Sequence, residues 1–278
     1  MRIGIGIFLA ALGILATLGF LPGIGWLSYP LVWWGVLVLM DELNFRRHGD
    51  SPMKSIWFWA MLVPASVLYW LFFEYLNVFF PQWVYAGAPD NSFLRMLLAV
   101  SSYGTVIPIV VETMWLGHGP IRLPQGLKER ERGIWAPISV LIGLQFALLP
   151  VVSQNFWLNQ LMWLSPLFLV LPFIVPPGEK TERIRLPHFL YAGAIAGLVS
   201  GVLWEFFNYR AGAKWTYLIF PDMFHLFEMP VLGYLGFIPF AWSTLAIYLW
   251  LRRSTAGWWP YAWGGAIAAA WLFTATIF

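Results

Sequence analysis

Long apolar runs follow one another along almost the whole chain, and they limit the folds that it can adopt. Short charged groups separate these runs at intervals of about 20 residues, the length of an α-helix that crosses a bilayer. Charged residues make up 10% of the sequence and hydrophobic residues 60%, whereas soluble domains carry about 25% charged residues. This pattern predicts an all-α polytopic membrane helix bundle. It excludes a soluble enzyme, a nucleic-acid-binding module and a disordered chain.

The spacing of the apolar runs predicts about nine spans in a single transmembrane domain. Proline and glycine occur inside several of them, which membrane helices tolerate better than soluble ones. The sixth span is interrupted by Pro166 and Pro172. The predicted spans cover residues 3–21, 26–44, 56–80, 93–116, 134–153, 157–175, 188–209, 226–251 and 258–278.

The basic residues are distributed unequally between the two sides that nine spans would create. Of the 16 lysines and arginines, all but Arg95, Arg210 and Lys214 fall on the side of the N-terminus. Basic loops stay on the cytoplasmic side of a membrane. The sequence therefore predicts a bacterial inner-membrane protein with a cytoplasmic N-terminus and an external C-terminus.

The second half of the chain repeats residues of the first half at an offset of about 131. Glu74-Tyr-Leu-Asn77 returns as Glu205-Phe-Phe-Asn208. The offset predicts two tandem four-helix repeats, residues 1–133 and 134–257, in the same orientation, followed by an extra helix at 258–278. Such repeats are related by an axis along the membrane normal. The other repeated residues are Trp83 and Trp215, Tyr85 and Tyr217, Pro89 and Pro221, Asp90 and Asp222, Tyr103 and Tyr234, and Pro108 and Pro239.

Each repeat carries a glutamate and an asparagine three residues apart, near the predicted outer end of a helix. This spacing places Glu74 with Asn77, and Glu205 with Asn208, on one helix face. Carboxylates at membrane depth are costly and mark pathways, proton relays or ligand sites, and carboxylate and amide oxygens together suit a hard cation. The alternative is structural, with each asparagine capping its helix and each glutamate pairing with a nearby cation.

The outer connection of the second half is unusually rich in charge. Arg210, Lys214, His225 and Glu228 lie there, together with Asp222. Glu228 precedes Met229-Pro230 at the predicted start of a helix, where a carboxylate also favours the helix dipole. We predict one outer polar pocket in which Glu205 and Glu228 are the candidate catalytic acids. The candidate binding residues are Glu74, Asn77, Asn208, Lys214, Arg210 and His225.

The remaining polar residues indicate no metal site, and no cofactor is identified. The four histidines lie outside the middle of the predicted spans, which excludes a b-type haem held by two histidines in the middle of the membrane. A single chlorophyll or another ligand bound by one histidine near the membrane surface remains an alternative. Glu112 lies inside the fourth span. Asp41, Glu42 and Asn44 end the second span beside Arg46 and Arg47, which predicts a local ion-pair cluster.

The second repeat also resembles a known family. It reads Trp204-Glu205-Phe-Phe-Asn208, Lys214-Trp215-Thr-Tyr217, Phe227-Glu228-Met-Pro230 and Gly236-Phe237 with Pro239-Phe240-Ala241. Over about 40 residues this resembles a family of bacterial multi-pass membrane proteins. The resemblance itself supplies no activity.

More distantly, the chain is similar to the membrane-bound lycopene cyclases. The similarity lies in tandem helical repeats, a polar residue late in one helix, an aromatic W-x-[YF] connection and a Pro/Glu motif opening the next helix. Pro108-Ile-Val-Val-Glu112 and Glu228-Met-Pro230 occupy about that place. The adjacent acidic pair that follows proline in that family has no counterpart in either half. The similarity implies a hydrophobic polyene or isoprenoid ligand.

Three functions stay open on the sequence. In the first, the protein binds or acts on a polyisoprenoid or another lipid, with Glu205 or Glu228 as general acid. In the second, it is a carrier with a cation or proton site between the repeats. In the third, it is an accessory subunit that packs membrane lipids, pigments or other membrane subunits. The first is favoured because the polar groups cluster at one end of an apolar bundle.

Overall fold

The computed structural model describes residues 2–124, 132–174, 183–219, 223–253 and 259–276. The repeated residues Pro221 and Asp222 lie outside them, as do Lys128, Arg130 and Lys180, three of the basic residues counted on the N-terminal side. The described helices are α1 (Arg2–Thr17), α2 (Ser28–His48), α3 (Val63–Phe79), α4 (Ser92–Tyr103), α5 (Val106–His118), α6 (Arg132–Ser153), α7 (Phe156–Asn159), α8 (Ser165–Val170), α9 (Leu186–Asn208), α10 (Phe237–Arg253) and α11 (Trp259–Thr276). The strands are β1 (Trp83–Ala86), β2 (Leu123–Pro124), β3 (Arg183–Ile184), β4 (Lys214–Tyr217), β5 (His225–Leu226) and β6 (Met229–Pro230).

Within the described residues, seven helical segments are long and apolar enough to cross a membrane. The chain is therefore a multi-pass membrane protein of the all-α class, and its described strands are only short pairs between helices. Helices α4 and α5 form one of these segments, interrupted at Gly104 and Thr105. The segments cover Pro22–His48, Phe58–Phe79, Ser92–His118, Trp135–Ser153, Phe156–Phe173, Leu186–Asn208 and Val231–Arg253.

Of the nine predicted spans, the first and the last are not among these seven. Helix α1 has 16 residues, about 24 Å at 1.5 Å per residue, which is short for the hydrocarbon core. It runs antiparallel to α2, since Gly6 faces Leu39 and Gly13 faces Val32. A Cβ on Gly35 would lie 2.4 Å from the backbone nitrogen of Ala10, so only glycine permits this close approach.

Two predicted spans differ from the sequence prediction in shape. The sixth is broken into α7, a 3₁₀ turn (Gln160–Leu164), α8 and a second 3₁₀ turn (Leu171–Phe173), because proline cannot supply the backbone N–H that a continuous helix needs. The eighth was predicted from residue 226, but α10 begins only at Phe237. Before it come the β5–β6 hairpin and a 3₁₀ turn (Val231–Gly236).

A two-stranded antiparallel ribbon joins the two halves of the chain. Strand β1 follows α3 and strand β4 follows α9, and they pair with Trp83 opposite Tyr217 and Tyr85 opposite Trp215. This register is symmetric, because each tryptophan faces the tyrosine of the other copy of the Trp-x-Tyr motif. The ends of α3 and α9 are thereby held at the same end of the bundle.

The core beneath this ribbon is aromatic. The ring centroid of Phe240 on α10 lies within 6.0 Å of five other ring centroids. Aromatic pairs at this separation add stabilisation beyond their buried area. The five neighbours of Phe240 are Tyr69, Trp70, Phe73, Trp163 and Trp204.

Candidate functional site

The first repeated glutamate, Glu74, is buried in the last part of α3 and accepts hydrogen bonds from aromatic side chains. The Trp70 indole donates to its Oε1 at 2.6 Å, and the Trp83 indole lies 3.3 Å from both carboxylate oxygens. The Tyr85 hydroxyl donates to Oε1 as well. Both oxygens of Glu74 therefore have donors, and none of these donors is a cation.

The second repeated glutamate, Glu205, occupies the equivalent place on α9 and is fully buried. Its Oε1 accepts hydrogen bonds from the Trp215 indole at 3.3 Å and from the Tyr217 hydroxyl at 2.8 Å. Its Oε2 is buried and has no hydrogen-bond partner within the described part of the chain. Each carboxyl group thus accepts hydrogen bonds from the tryptophan and the tyrosine of its own Trp-x-Tyr motif. Both oxygens of Glu74 have donors, whereas only one oxygen of Glu205 does within the described residues.

The tyrosines act as donors because they stay protonated. Burial raises the pKa of Tyr217 well above its ordinary value of 10, and the nearby Glu205 raises it further. Burial and the nearby Glu74 raise the pKa of Tyr85 in the same way. Each hydroxyl therefore keeps its proton at neutral pH and can donate a hydrogen bond to the carboxyl group.

The two asparagines hold the strands rather than a ligand. The Asn208 amide donates to the carbonyl oxygen of Trp215 at 2.8 Å and accepts from its backbone N–H at 3.0 Å. Asn77 does the same for Trp83, at 2.9 and 3.3 Å, and also accepts from the Gln82 backbone N–H at 2.7 Å. Each asparagine thus fixes the start of the strand that carries the donors to the glutamate.

A cavity opens beside Glu205. The volume in which the centre of a water molecule fits is about 70 Å³. Glu205 is the acidic residue among the described residues of its lining, and Gln82 and Gln160, which are linked by a 3.2 Å hydrogen bond, lie at its edge. Its walls are mainly aromatic, formed by Trp70, Trp83, Trp163, Trp204, Trp215, Tyr217, Phe237 and Phe240.

A second cavity of the same size lies near the Glu74 group. Tyr29, Tyr85 and Tyr103 line it, and Trp70 and Trp215 line both cavities. Tyr103 also interacts with Glu74 and Tyr85. The two cavities therefore share Trp70 of α3 and Trp215 of β4 as walls, and Glu205 lines one of them directly.

Glu228 and Lys214 form an ion pair at the edge of this region. Glu228 was predicted to open a helix, but it lies in the turn of the β5–β6 hairpin, after Phe227 in the left-handed region at φ 59°. Glu228 lies close enough to Glu205 for their charges to interact. Lys214 therefore binds Glu228, whereas the hydrogen-bond donors to Glu205 are Trp215 and Tyr217.

The other predicted site residues lie further from the carboxyl groups. Arg210 is exposed just beyond the end of α9, and His225 is partly exposed on β5 opposite Pro230. The aromatic walls of the cavity were not predicted from the sequence. Two signals pointed to them: Trp70 lies four residues before Glu74, and Trp204 directly precedes Glu205.

A separate buried carboxyl group lies at the other end of the bundle. Glu112 on α5 accepts a 2.6 Å hydrogen bond from the amide of Asn44 on α2. Asp41 was predicted to belong to a local cluster with Arg46 and Arg47, but it pairs with Arg2 of α1 at 2.9 Å. It also accepts the Met53 backbone N–H at 2.8 Å, so these residues tie α1, α2 and α5 together.

Comparison with known proteins gives no relative. No family model matches the sequence, and neither a curated protein nor a solved structure is significantly similar to it.

Proposed function

We propose that this membrane protein binds one end of a polyisoprenoid or polyene lipid in the cavity beside Glu205, and that Glu205 transfers a proton to it. The positive-inside rule places this end of the bundle on the outer side of the membrane. The cavity is too small for a whole lipid. A terminal segment would enter it while the remainder of the chain stays in the bilayer.

The observation that carries this proposal is Glu205, a buried side chain that lines an aromatic cavity and whose Oε2 has no hydrogen-bond partner within the described residues. An ionised carboxylate that is buried without a cation is costly. The neutral acid is the less costly form, and its hydroxyl would belong to the oxygen that has no other donor. A proton on Oε2 would then point toward a bound ligand.

The aromatic walls suit the charge that such a transfer creates. When a carboxylic acid protonates a carbon–carbon double bond, a C–H bond forms, the acid becomes a carboxylate and a carbocation remains. The same carboxylate can then remove a proton from a neighbouring carbon, which restores the acid. Faces of tryptophan stabilise cations, and Trp163, Trp204 and Trp215 surround this position.

The hydrogen bonds argue against the cation-carrier alternative. A cation site would need oxygens free to act as ligands. The amide oxygens of Asn77 and Asn208 instead accept backbone N–H groups, and Glu74 accepts donors on both oxygens. The groups around these oxygens are hydrogen-bond donors, which take the place that a cation would occupy.

Binding is tested with lycopene, a linear polyene, added to the full-length protein in detergent. A polyene bound among these tryptophans should quench their fluorescence in a saturable way. Proton transfer is tested separately by incubating the complex in D₂O and measuring deuterium in the recovered lipid by mass spectrometry. We expect saturable quenching and deuterium uptake with the wild-type protein.

Glu205→Gln is the test variant, since glutamine has nearly the same shape but no acidic proton. It should keep the quenching and lose the deuterium uptake. Glu74→Gln is the matched control and should keep both. Absence of quenching in the folded wild-type protein would refute the polyene ligand. Equal deuterium uptake in Glu205→Gln would refute the role of Glu205.

A further inference from the structure

A third cavity, with a different chemistry, lies at the opposite end of α9. The end of α5, the loop that follows it, strand β3 and the start of α9 surround a depression of about 680 Å³. His188 near the start of α9 and Glu205 near its end are 17 residues apart, or about 25 Å along the helix. This cavity is therefore separate from the one beside Glu205, and Glu205 does not line it.

The described lining of this depression is basic. Arg122, Arg185, His118 and His188 line it, and no acidic residue does so among the described residues. Nε2 of His188 lies 3.2 Å from Nδ1 of His118, which brings together two rings that are 70 positions apart in the sequence. Arg47 of α2 adds positive charge beside His118.

The backbone adds to this positive potential. Helix α9 begins at Leu186, and the side chain of Arg185 at its N-cap position has only donors, so it cannot cap the first N–H groups. Arg185 and His188 line the depression at the start of this 23-residue helix, where the positive end of the helix dipole adds to the potential. The parallel pairing of β2 with β3, with Leu123 opposite Arg183, fixes the loop after α5 next to the start of α9.

We propose that this depression binds a phosphate-bearing anion. Guanidinium groups donate charge-assisted hydrogen bonds to phosphate oxygens through two parallel donors, and an imidazole N–H donates a further hydrogen bond. The anion could be the headgroup of an anionic phospholipid or a soluble phosphate compound. Exposed Tyr191 at the rim is of the type that lies at the headgroup level, and the positive-inside rule places this end in the cytoplasm.

The experiment measures thermal unfolding of the full-length protein. One arm uses the protein in detergent and titrates inorganic phosphate against sodium chloride of equal ionic strength. The other uses nanodiscs of phosphatidylcholine with and without phosphatidylglycerol. A ligand that binds the folded protein raises the unfolding temperature, and the rise grows as the ligand concentration exceeds the Kd. A rise with phosphate indicates a soluble anion, and a rise with phosphatidylglycerol alone indicates a headgroup.

The test variant is Arg185→Gln/His188→Gln, and Lys54→Gln, which removes a charge from an exposed side chain in another loop at the same end, is the control. The double variant should bind the anion at least about tenfold more weakly than the wild-type protein. Lys54→Gln should leave the affinity for the anion unchanged. If the double variant does not fold, His188→Gln alone replaces it. No shift with either anion, or equal losses in the test and control variants, would overturn the proposal.

Discussion

The two glutamates of the repeated motif differ in what surrounds them, although the Trp-x-Tyr donors that follow them are the same. Four residues before Glu74 stands Trp70, which donates to the carboxyl group. Four residues before Glu205 stands Gly201, and the ring of Phe237 occupies the space where a Cβ would lie, with Cδ2 2.1 Å from that position. One donor present in the first half is therefore absent in the second.

A second donor is also lost between the halves. Tyr103 interacts with Glu74, whereas the hydroxyl of its counterpart Tyr234 donates to the carbonyl oxygen of Leu226 at 3.0 Å. Glu205 therefore has fewer hydrogen-bond donors than Glu74, and its side chain lines the cavity. The same motif is therefore fully hydrogen-bonded at Glu74, whereas at Glu205 one carboxyl oxygen has no partner within the described residues.

The largest expected difference between the halves is in proton transfer to the polyene. Glu205→Gln should lower the rate of deuterium uptake at least about 100-fold, the lower range of a general acid's contribution. Glu74→Gln should reduce it only in proportion to the amount of folded protein. The measurement is mass spectrometry of the recovered lipid, normalised to monodisperse protein. Equal losses in both variants would break the comparison.

For stability we expect the opposite order, with a larger loss in Glu74→Gln than in Glu205→Gln. In Glu74→Gln, the new amide NH₂ group faces the Trp83 indole, which is itself a donor, so we expect a loss of about 1–2 kcal/mol. In Glu205→Gln the amide can occupy the unpartnered position of Oε2, so the loss should be smaller. Thermal unfolding of both variants in the same detergent checks this. A less stable Glu205→Gln variant would show that Oε2 is not free.

The tyrosines predict a dependence of stability on alkaline pH. The pKa of Tyr217 is raised above its ordinary value of 10, so its protonated hydroxyl stabilises the fold fully below about pH 10. Above that pH the unfolded chain loses the proton more readily, and the stability that Tyr217 contributes declines. Unfolding of the wild-type protein and Tyr217→Phe should converge as the pH rises. Parallel curves would contradict this assignment.

The smallest expected effect concerns the ion pair that only the second half has. In the first half, Gln82 stands at the position equivalent to Lys214, so an equivalent ion pair cannot form there. The side chains of Lys214 and Glu228 are 32% and 19% exposed, and Lys214→Gln should lower the free energy of unfolding by less than about 1 kcal/mol. Chemical denaturation measures it, with Lys54→Gln as an exposed control. A larger loss would give the pair a role beyond surface stabilisation.

The proposed relation between the repeats extends from these contacts to the whole halves. The ribbon register is symmetric, and Asn77 and Asn208 hold equivalent strands. We expect residues 56–116 to superpose on residues 188–251 by a rotation about an axis near the membrane normal. A third and a seventh predicted span running in opposite directions would contradict that expectation.

The sequence by itself determined the features that depend on short distances along the chain. Apolar length predicts a membrane helix because unpaired backbone groups cannot remain in hydrocarbon, and the repeated spacing predicted two equivalent glutamate–asparagine pairs. It failed where neighbouring elements compete for the same residues. Glu228 was placed at a helix start, yet the chain there forms a hairpin that brings Glu228 to Lys214.

The tertiary structure decided which of the equivalent residues meet a cavity and which distant residues meet each other. Glu74 and Glu205 share the Glu-x-x-Asn and Trp-x-Tyr motifs, and the replacement of Trp70 by Gly201 is visible in the sequence. Only the packing shows that Phe237 fills the space beside Gly201 and that the Tyr234 hydroxyl donates to Leu226 instead of to Glu205. The pairs Arg2 with Asp41 and His118 with His188 are 39 and 70 positions apart. Spacing along a helix sets contacts only within a turn or two, whereas contacts at these separations depend on how whole helices pack.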